Sequence, residues 1–147
     1  MFRCRARVVV ACAIAAAALF GFGSATAAQG KAQRPKISVK ATPPISFTPA
    51  RVSFTIELKG GDDDYQDFYC PTVMWEWGDG TESEATQDCD PYEPGTSTIK
   101  RRYTASHEYR ESGRFTVVAR LKREGKTIVA ANVTVTVRPG AMMEPPY

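Results

Sequence analysis

Residues 72–80 read TVMWEWGDG, and this stretch decides the fold. Every second side chain from Val73 to Trp77 is large and apolar, which is the alternation of a β-strand with one buried face. The Gly-Asp-Gly that follows predicts a turn, because glycine adopts the positive φ that tight turns require. Residues 82–87 then return antiparallel to residues 72–77, so the stretch predicts a β-hairpin.

Strand patterns also flank the hairpin. The clearest covers residues 51–58, where every second side chain is large and apolar. Glycines, prolines and acidic residues separate the patterned segments, and no amphipathic helix is predicted. The predicted strands are residues 36–42, 51–58, 72–77, 82–87, 96–104, 114–122 and 127–137. About seven short strands predict an all-β fold, an antiparallel β-sandwich, and a small barrel is the alternative with the same pattern.

Residues 1–28 have the pattern of a secretory signal peptide. Three arginines precede an apolar run over residues 8–22, and the small residues of 24–28 suit a signal peptidase. The run is about 15 residues long, shorter than the roughly 20 that a membrane-spanning helix needs. A lipoprotein signal at Cys12 is a further alternative, but most of the apolar run follows that cysteine. We therefore expect cleavage, a secreted or periplasmic location and no membrane span in the mature chain.

The charge balance changes when this signal is set aside. The chain has 19 Lys and Arg and 16 Asp and Glu, a formal net charge of +3. Three of the basic residues lie in the signal, so residues 29–147 are formally neutral. This argues against a nucleic-acid partner, which requires a persistent positive surface. The expected organisation is a flexible lead-in over residues 29–35, one β-sandwich domain over 36–138 and a disordered tail over 139–147.

The cysteines predict one disulfide. Cys4 and Cys12 lie in the signal, which leaves Cys70 and Cys89, and two cysteines in an exported chain most simply pair. If residues 78–81 form the hairpin loop, paired residue numbers sum to 159 and the two cysteines lie directly opposite each other. The disulfide is then expected on the outer face of the sheet, far from the turn. A bulge would break this register.

Two motifs resemble the polycystic-kidney-disease (PKD) domain family. Residues 75–80, WEWGDG, resemble the family's W-D-F-G-D-G signature. Residues 107–117, HEYRESGRFTV, resemble its H-x-Y-x-x-x-G-x-Y-x-V. The resemblance covers residues 36–137, with departures at Glu76 and Trp77 and an insert at about residues 88–97. It implies an immunoglobulin-like β-sandwich and a non-catalytic extracellular module of the kind appended to bacterial proteases, glycoside hydrolases and surface proteins.

We interpret the motif residues as structural. Trp75 is expected to anchor the core, and Asp79 to accept hydrogen bonds from backbone amides of its own turn. Tyr109 is expected to pack its ring and to bond its hydroxyl to nearby backbone, as in a tyrosine corner. The full set of predicted fold-motif residues is Trp75, Trp77, Gly78, Asp79, Gly80, His107, Tyr109, Gly113 and Phe115.

Candidate catalytic residues are few. His107 is the only histidine in the chain, so a histidine-dependent hydrolase would have to use it. The neighbouring Ser106 points to the opposite face of a strand, which argues against a Ser-His-Asp triad. We therefore expect no enzymatic activity, and a hydrolase using His107 is the third of three functional hypotheses.

Two candidate ligand surfaces lie in the loops beside the cysteines. One is acidic and predicts a calcium site, since calcium prefers carboxylate and carbonyl oxygens, or else a solvated loop. Its residues are Asp62, Asp63, Asp64, Asp67, Asp88 and Asp90. The other is aromatic and predicts either a surface for sugar or protein or a cap on the core. Its residues are Tyr65, Phe68, Tyr69 and Tyr92.

The leading functional hypothesis is a secreted, PKD-like interaction module that binds an extracellular or envelope protein or polysaccharide. The second is a structural subunit or spacer of a bacterial envelope assembly. The two differ in what they predict for the purified protein: saturable binding to a ligand, or association with a larger assembly.

Overall fold

The computed structural model describes residues 33–140 as eight strands and one 3-10 turn. The predicted signal peptide, residues 29–32 of the lead-in and residues 141–147 of the tail lie outside the described residues. Within 33–140, no helix is long and apolar enough to cross a membrane. The strands are β1 (Lys36–Thr42), β2 (Ile45–Phe47), β3 (Ala50–Lys59), β4 (Thr72–Glu76), β5 (Glu82–Ala85), β6 (Arg102–Tyr109), β7 (Gly113–Arg123) and β8 (Lys126–Arg138).

The strands form two sheets. One has the order β1-β3-β6 and the other the order β2-β8-β7-β4-β5. Neighbours are antiparallel except β2 and β8, which are parallel. The two sheets pack face to face around one core, so the predicted sandwich is confirmed and the small barrel is wrong.

Period-two alternation places the core side chains. Val52, Phe54 and Ile56 on β3 are fully buried, and Trp75 opposes them from β4. Each large apolar side chain buried in this way contributes about 1.5–3 kcal/mol relative to an exposed position. The aromatic rings concentrate this burial at the centre of the sandwich, where Phe54 packs against Trp75 and Trp77.

The β4–β5 hairpin has a different register from the predicted one. Val73 pairs with Ala85 and Glu76 with Glu82, so paired numbers sum to 158 and not 159. The Trp77 amide donates to the Thr81 carbonyl (3.0 Å), which closes a three-residue loop over residues 78–80. The predicted loop over residues 78–81 is therefore one residue too long.

The Cys70–Cys89 disulfide nevertheless forms, with Cα atoms 6.2 Å apart. Strand β5 ends at Ala85, so Cys89 lies beyond the ladder. Cys70 has φ 52° and turns out of extended conformation just before β4 begins. The predicted pairing is correct, but the bond joins two loops and not two facing strand positions.

Two further predictions about strands need correction. The short strand β2 was not predicted, because its three residues lie between Pro44 and Pro49, and it pairs with β8 only through tertiary contact. The strand predicted over residues 96–104 begins only at Arg102, where its ladder with β3 starts at the Glu57–Arg102 pair. At its other end β6 extends to Tyr109, which pairs with Ala50 of β3, so this strand carries the whole His-x-Tyr motif.

The described domain begins and finishes at opposite ends of the sandwich. Strand β1 starts beside Lys59, at the end that carries the disulfide loops. Strand β8 finishes beside Phe47 and Gly113, at the end that carries the Gly-Asp-Gly turn. At the first end, Pro35 is buried. At the second, the Gly140 amide donates to the Thr48 hydroxyl (2.9 Å).

Candidate functional site

The Gly-Asp-Gly turn contacts the opposite sheet. The Asp79 Oδ1 atom accepts hydrogen bonds from the Thr81 amide (3.0 Å) and hydroxyl (2.6 Å), which fixes the carboxylate within its own turn. The other oxygen, Oδ2, lies 2.7 Å from Nε2 of His107 on β6. The side chains of Asp79 and His107 are 23% and 18% exposed, so this contact is partly shielded from water. It joins the two sheets at one end of the sandwich.

An aromatic stack supports the imidazole. The His107 ring lies parallel to Trp77 with centroids 4.6 Å apart, and Trp77 stacks in turn on Trp75. Tyr109 meets His107 edge-on and stacks on Phe115. These stacks hold the imidazole in place from two sides, so its orientation is set by packing as well as by Asp79.

The Tyr109 hydroxyl makes a second link between the sheets. It donates to the Trp77 carbonyl (2.9 Å), and both groups are buried. Burial raises the pKa of this hydroxyl, and the nearby Asp79 carboxylate adds to the rise. Tyr109 therefore remains a hydrogen-bond donor throughout the physiological pH range.

Opposing effects set the pKa of Asp79. Partial burial favours the neutral carboxyl and raises its pKa. Hydrogen bonds from the Thr81 side chain, from His107 and from the Thr81 amide act the other way and outweigh it, so the pKa of Asp79 is lowered. The carboxylate is charged at neutral pH and is an acceptor for His107.

This arrangement differs from a nucleophile–base pair. A cleft of about 350 Å³ lies beside Asp79, His107 and Tyr109. The hydroxyls of Thr81 and Tyr109 donate to Asp79 and to the Trp77 carbonyl, and neither donates to the imidazole. Ser106 pairs with Ser53 in the ladder and lies on the opposite face of β6 from His107. The geometry of these side chains accounts for the position of the imidazole without a catalytic role.

The acidic loop does not assemble the predicted calcium site. Among residues 33–140, no three acidic, histidine or cysteine side chains come together in a way that could hold a metal ion. Asp63 instead pairs with Arg101 (3.0 Å), whose guanidinium also donates to the Gly60 and Gly61 carbonyls. The predicted ligands Asp62, Asp63, Asp64, Asp67, Asp88 and Asp90 therefore gain no support as a metal site, since no three of them come together within residues 33–140.

The predicted aromatic surface divides into core and surface residues. Phe68 is fully buried, so its place in a ligand surface was wrong and it caps the core. Tyr65 packs edge-on against Phe68 and is half-buried. Tyr69 and Tyr92 form an edge-on pair across the two loops, with centroids 5.4 Å apart. The Tyr69 hydroxyl donates to the Asp90 carbonyl (3.0 Å).

Sequence reasoning missed a groove on the side of the sandwich. It lies between β5 and β6, the last strands of their sheets, and has a volume of about 370 Å³. The signal for it is weak: small residues stand at the inward positions Ser83, Ala85 and Ala105. Such residues are ordinary in sequence, and only the topology places them on facing edges.

Comparison with known proteins supports the fold. No protein family matches the sequence, and no curated protein is similar to it. Among solved structures, the chain is similar to a PKD domain of an M14-like peptidase from Thermoplasmatales archaeon SCGC AB-540-F20, with a TM-score of 0.50 and 19% identity. The match covers 74% of this chain and 99% of that chain. The fold is PKD-like.

A second solved structure gives a weaker match. It is the CARDB domain of the PF1109 protein from Pyrococcus furiosus, with a TM-score of 0.45 and 12% identity, and it covers 76% of this chain and 100% of that chain. The first match confirms the predicted immunoglobulin-like sandwich. At this level of identity it shows the fold alone, and membership of the PKD family stays a prediction.

Proposed function

We propose that this protein is a secreted, non-catalytic interaction module that binds a protein or polysaccharide outside the cell or in the envelope. The observation that carries the proposal is the Tyr69–Tyr92 pair, which lies across two loops that the disulfide joins. Together with Tyr65, these residues form what we call the loop surface. The PKD-like fold supports the proposal, because its solved relative is itself a domain of a larger peptidase.

The loop surface is held in place before any ligand binds. The Cys70–Cys89 bond joins its two loops, and the Tyr69 hydroxyl donates across them to Asp90. Arg123, on β7, donates to the Tyr69 carbonyl (3.0 Å) and so connects the loop to the sheet. An ordered surface loses little conformational entropy on binding, and tyrosine supplies apolar area together with a polar tip. Both properties suit sugar rings and protein surfaces.

A pull-down tests this proposal. Purified protein is incubated with insoluble polysaccharides and with cell envelopes, in parallel with calcium and with chelator. We expect saturable binding that the double substitution Tyr69→Ala/Tyr92→Ala weakens by about tenfold or more, the loss expected of an aromatic anchor. Phe47→Ala is the matched control, because Phe47 is an exposed aromatic on the edge strand β2, away from the loop surface. Undiminished binding by the double variant would reject the loop surface, and equal binding with chelator is expected.

The spacer hypothesis is the second candidate, and one observation favours it. The described domain begins at one end of the sandwich and finishes at the other, so it can hold flanking segments apart. This hypothesis predicts co-purification with a larger assembly and no saturable binding to isolated polysaccharide.

A further inference from the structure

The groove between β5 and β6 exists because the inward positions of these edge strands carry small side chains. Ser83 and Ala85 share the face of Trp75 and Val73, with which they pair in the ladder. Ala105 occupies the corresponding inward position on β6. None of the three reaches across to the opposite sheet, which leaves a groove of about 370 Å³. This volume lies in the range of ligand sites.

The groove runs beside an open strand edge. Facing residues of an antiparallel pair alternate between hydrogen-bonded and non-hydrogen-bonded pairs. The bond from the Trp77 amide to the Thr81 carbonyl makes Trp77 and Thr81 a hydrogen-bonded pair. The backbone groups of Ser83 and Ala85 therefore bond to β4. The backbone amides and carbonyls of Glu82 and Glu84 face away from β4, towards the open edge. No strand within residues 33–140 pairs with this edge of β5. Such an edge is a template for an added strand.

One end of the groove offers positive charge. Lys100 Nζ lies 3.4 Å from the Gln87 side-chain oxygen and 5.3 Å from the centroid of the Tyr103 ring. In the described part of the chain, no carboxylate lies within ion-pair distance of Lys100. The buried Gln87 side-chain amide and the Tyr103 hydroxyl lie next to each other at the same end. This end therefore suits an acidic group.

A symmetric dimer formed through β5 is unfavourable. Antiparallel pairing of β5 with β5 of another copy would align Glu82 and Glu84 with the same residues on one face. Like charges opposite each other destabilise a strand pair. The charge pattern thus argues against self-pairing of β5.

We propose that the groove accepts an extended peptide of a partner protein. The peptide adds a strand to the free edge of β5, places an apolar side chain beside Ala85 and Ala105, and presents a carboxylate to Lys100. Side chains two positions apart share a strand face, so the recognised pattern is an apolar residue with an acidic residue at the second position from it. The inference uses the interaction role proposed above but a surface separate from the loop surface.

Two fluorescein-labelled peptides of identical composition test the spacing. The probe has a central Asp-Thr-Leu-Thr-Asp flanked by alternating threonine and valine, and the control has Thr-Asp-Leu-Asp-Thr in the same frame. The symmetry of each core makes the test independent of strand direction. We expect saturable binding of the probe, about tenfold tighter than the control at low salt. Equal affinity for both peptides, or no saturable binding of the probe, would overturn the proposal.

Protein variants locate the binding. Ala85→Phe fills the groove and should abolish probe binding, whereas Glu84→Phe adds the same ring on the outer face of β5 and should leave it unchanged. Lys100→Glu should remove the preference for the probe. Tyr69→Ala/Tyr92→Ala should bind the probe as the wild type does, which separates this inference from the loop surface. Circular dichroism checks that each variant is folded. Probe binding by folded Ala85→Phe, or a concentration-dependent dimer that blocks the probe, would contradict the proposal.

Discussion

The carboxylate of Asp79 and the imidazole of His107 join the two sheets at a distance of 2.7 Å. Asp79 belongs to the β4–β5 turn of the five-stranded sheet, and His107 to the edge strand of the three-stranded sheet. Only a few positions away, the Tyr109 hydroxyl donates to the Trp77 carbonyl and makes the same connection. The two motifs thus meet in space and fix how the sheets pack.

Asp79→Asn should destabilise the protein in a pH-dependent way. The pKa of Asp79 is lower in the folded state, so its charge contributes stability above the unfolded pKa of about 3.9, and this contribution is lost as the pH falls through the folded pKa. We expect a loss of about 1–2 kcal/mol at pH 7 that shrinks as the pH falls from the unfolded pKa through the folded pKa of Asp79. Urea unfolding of both proteins across this range measures it. A difference independent of pH would contradict the ionic origin.

Tyr109→Phe should remove the buried hydroxyl while keeping the ring. The Trp77 carbonyl then loses its donor in a buried site, at a cost of about 1–2 kcal/mol in the free energy of unfolding. Tyr92→Phe is the control, because the Tyr92 ring lies at the loop surface, and its effect should stay within about 0.5 kcal/mol. Equal effects of the two substitutions would argue against the proposed link.

The two glycines of the turn should respond differently to alanine. Both have positive φ, 83° for Gly78 and 88° for Gly80, so each substitution costs about 1–2 kcal/mol of backbone strain. A Cβ on Gly78 would also lie 2.7 Å from the Thr116 carbonyl oxygen, whereas one on Gly80 meets open space. Gly78→Ala should therefore cost about 1–3 kcal/mol more than Gly80→Ala. Thermal unfolding of the two variants decides this, and similar losses would be evidence against a close contact with β7.

Reduction of the disulfide should loosen the loop end. Cys70 and Cys89 are 19 positions apart, and a loop of this size contributes about 3 kcal/mol to stability. Cys70→Ser/Cys89→Ser should show that loss in the free energy of unfolding and should not respond to a reducing agent. A wild-type protein with equal stability in oxidising and reducing buffer would contradict the prediction.

Local pattern predicted the buried faces but not how they combine. Val52, Phe54 and Trp75 are buried as expected, because successive side chains of a strand point to opposite faces of the sheet. The hairpin register failed because Gly-Asp-Gly fits loops of more than one length, and the hydrogen bonds from Thr81 to Asp79 accompany the shorter one. Sequence gives no means of ranking these loops.

The rest depended on long-range arrangement. The pairing of Asp79 with His107 requires the packing of two sheets, and β2 forms only where β8 is already in place. Phe68 lies among polar and aromatic loop residues, so its pattern does not distinguish a buried cap from a ligand surface. The groove arises because Ala85 and Ala105 lie on facing edges of different sheets. The alternation of side chains within one strand cannot predict such an arrangement.

The described domain begins and finishes at opposite ends of the sandwich, which determines the direction in which a pulling force would act on it. Strands β1 and β8 both run from the disulfide end to the turn end. Strand β7, which spans the same two ends, has 11 residues and is about 35 Å long at 3.3 Å per residue. Tension between residues 33 and 140 would act parallel to β1 and β8. Their ladder hydrogen bonds would then be loaded in shear and would resist together instead of opening one at a time.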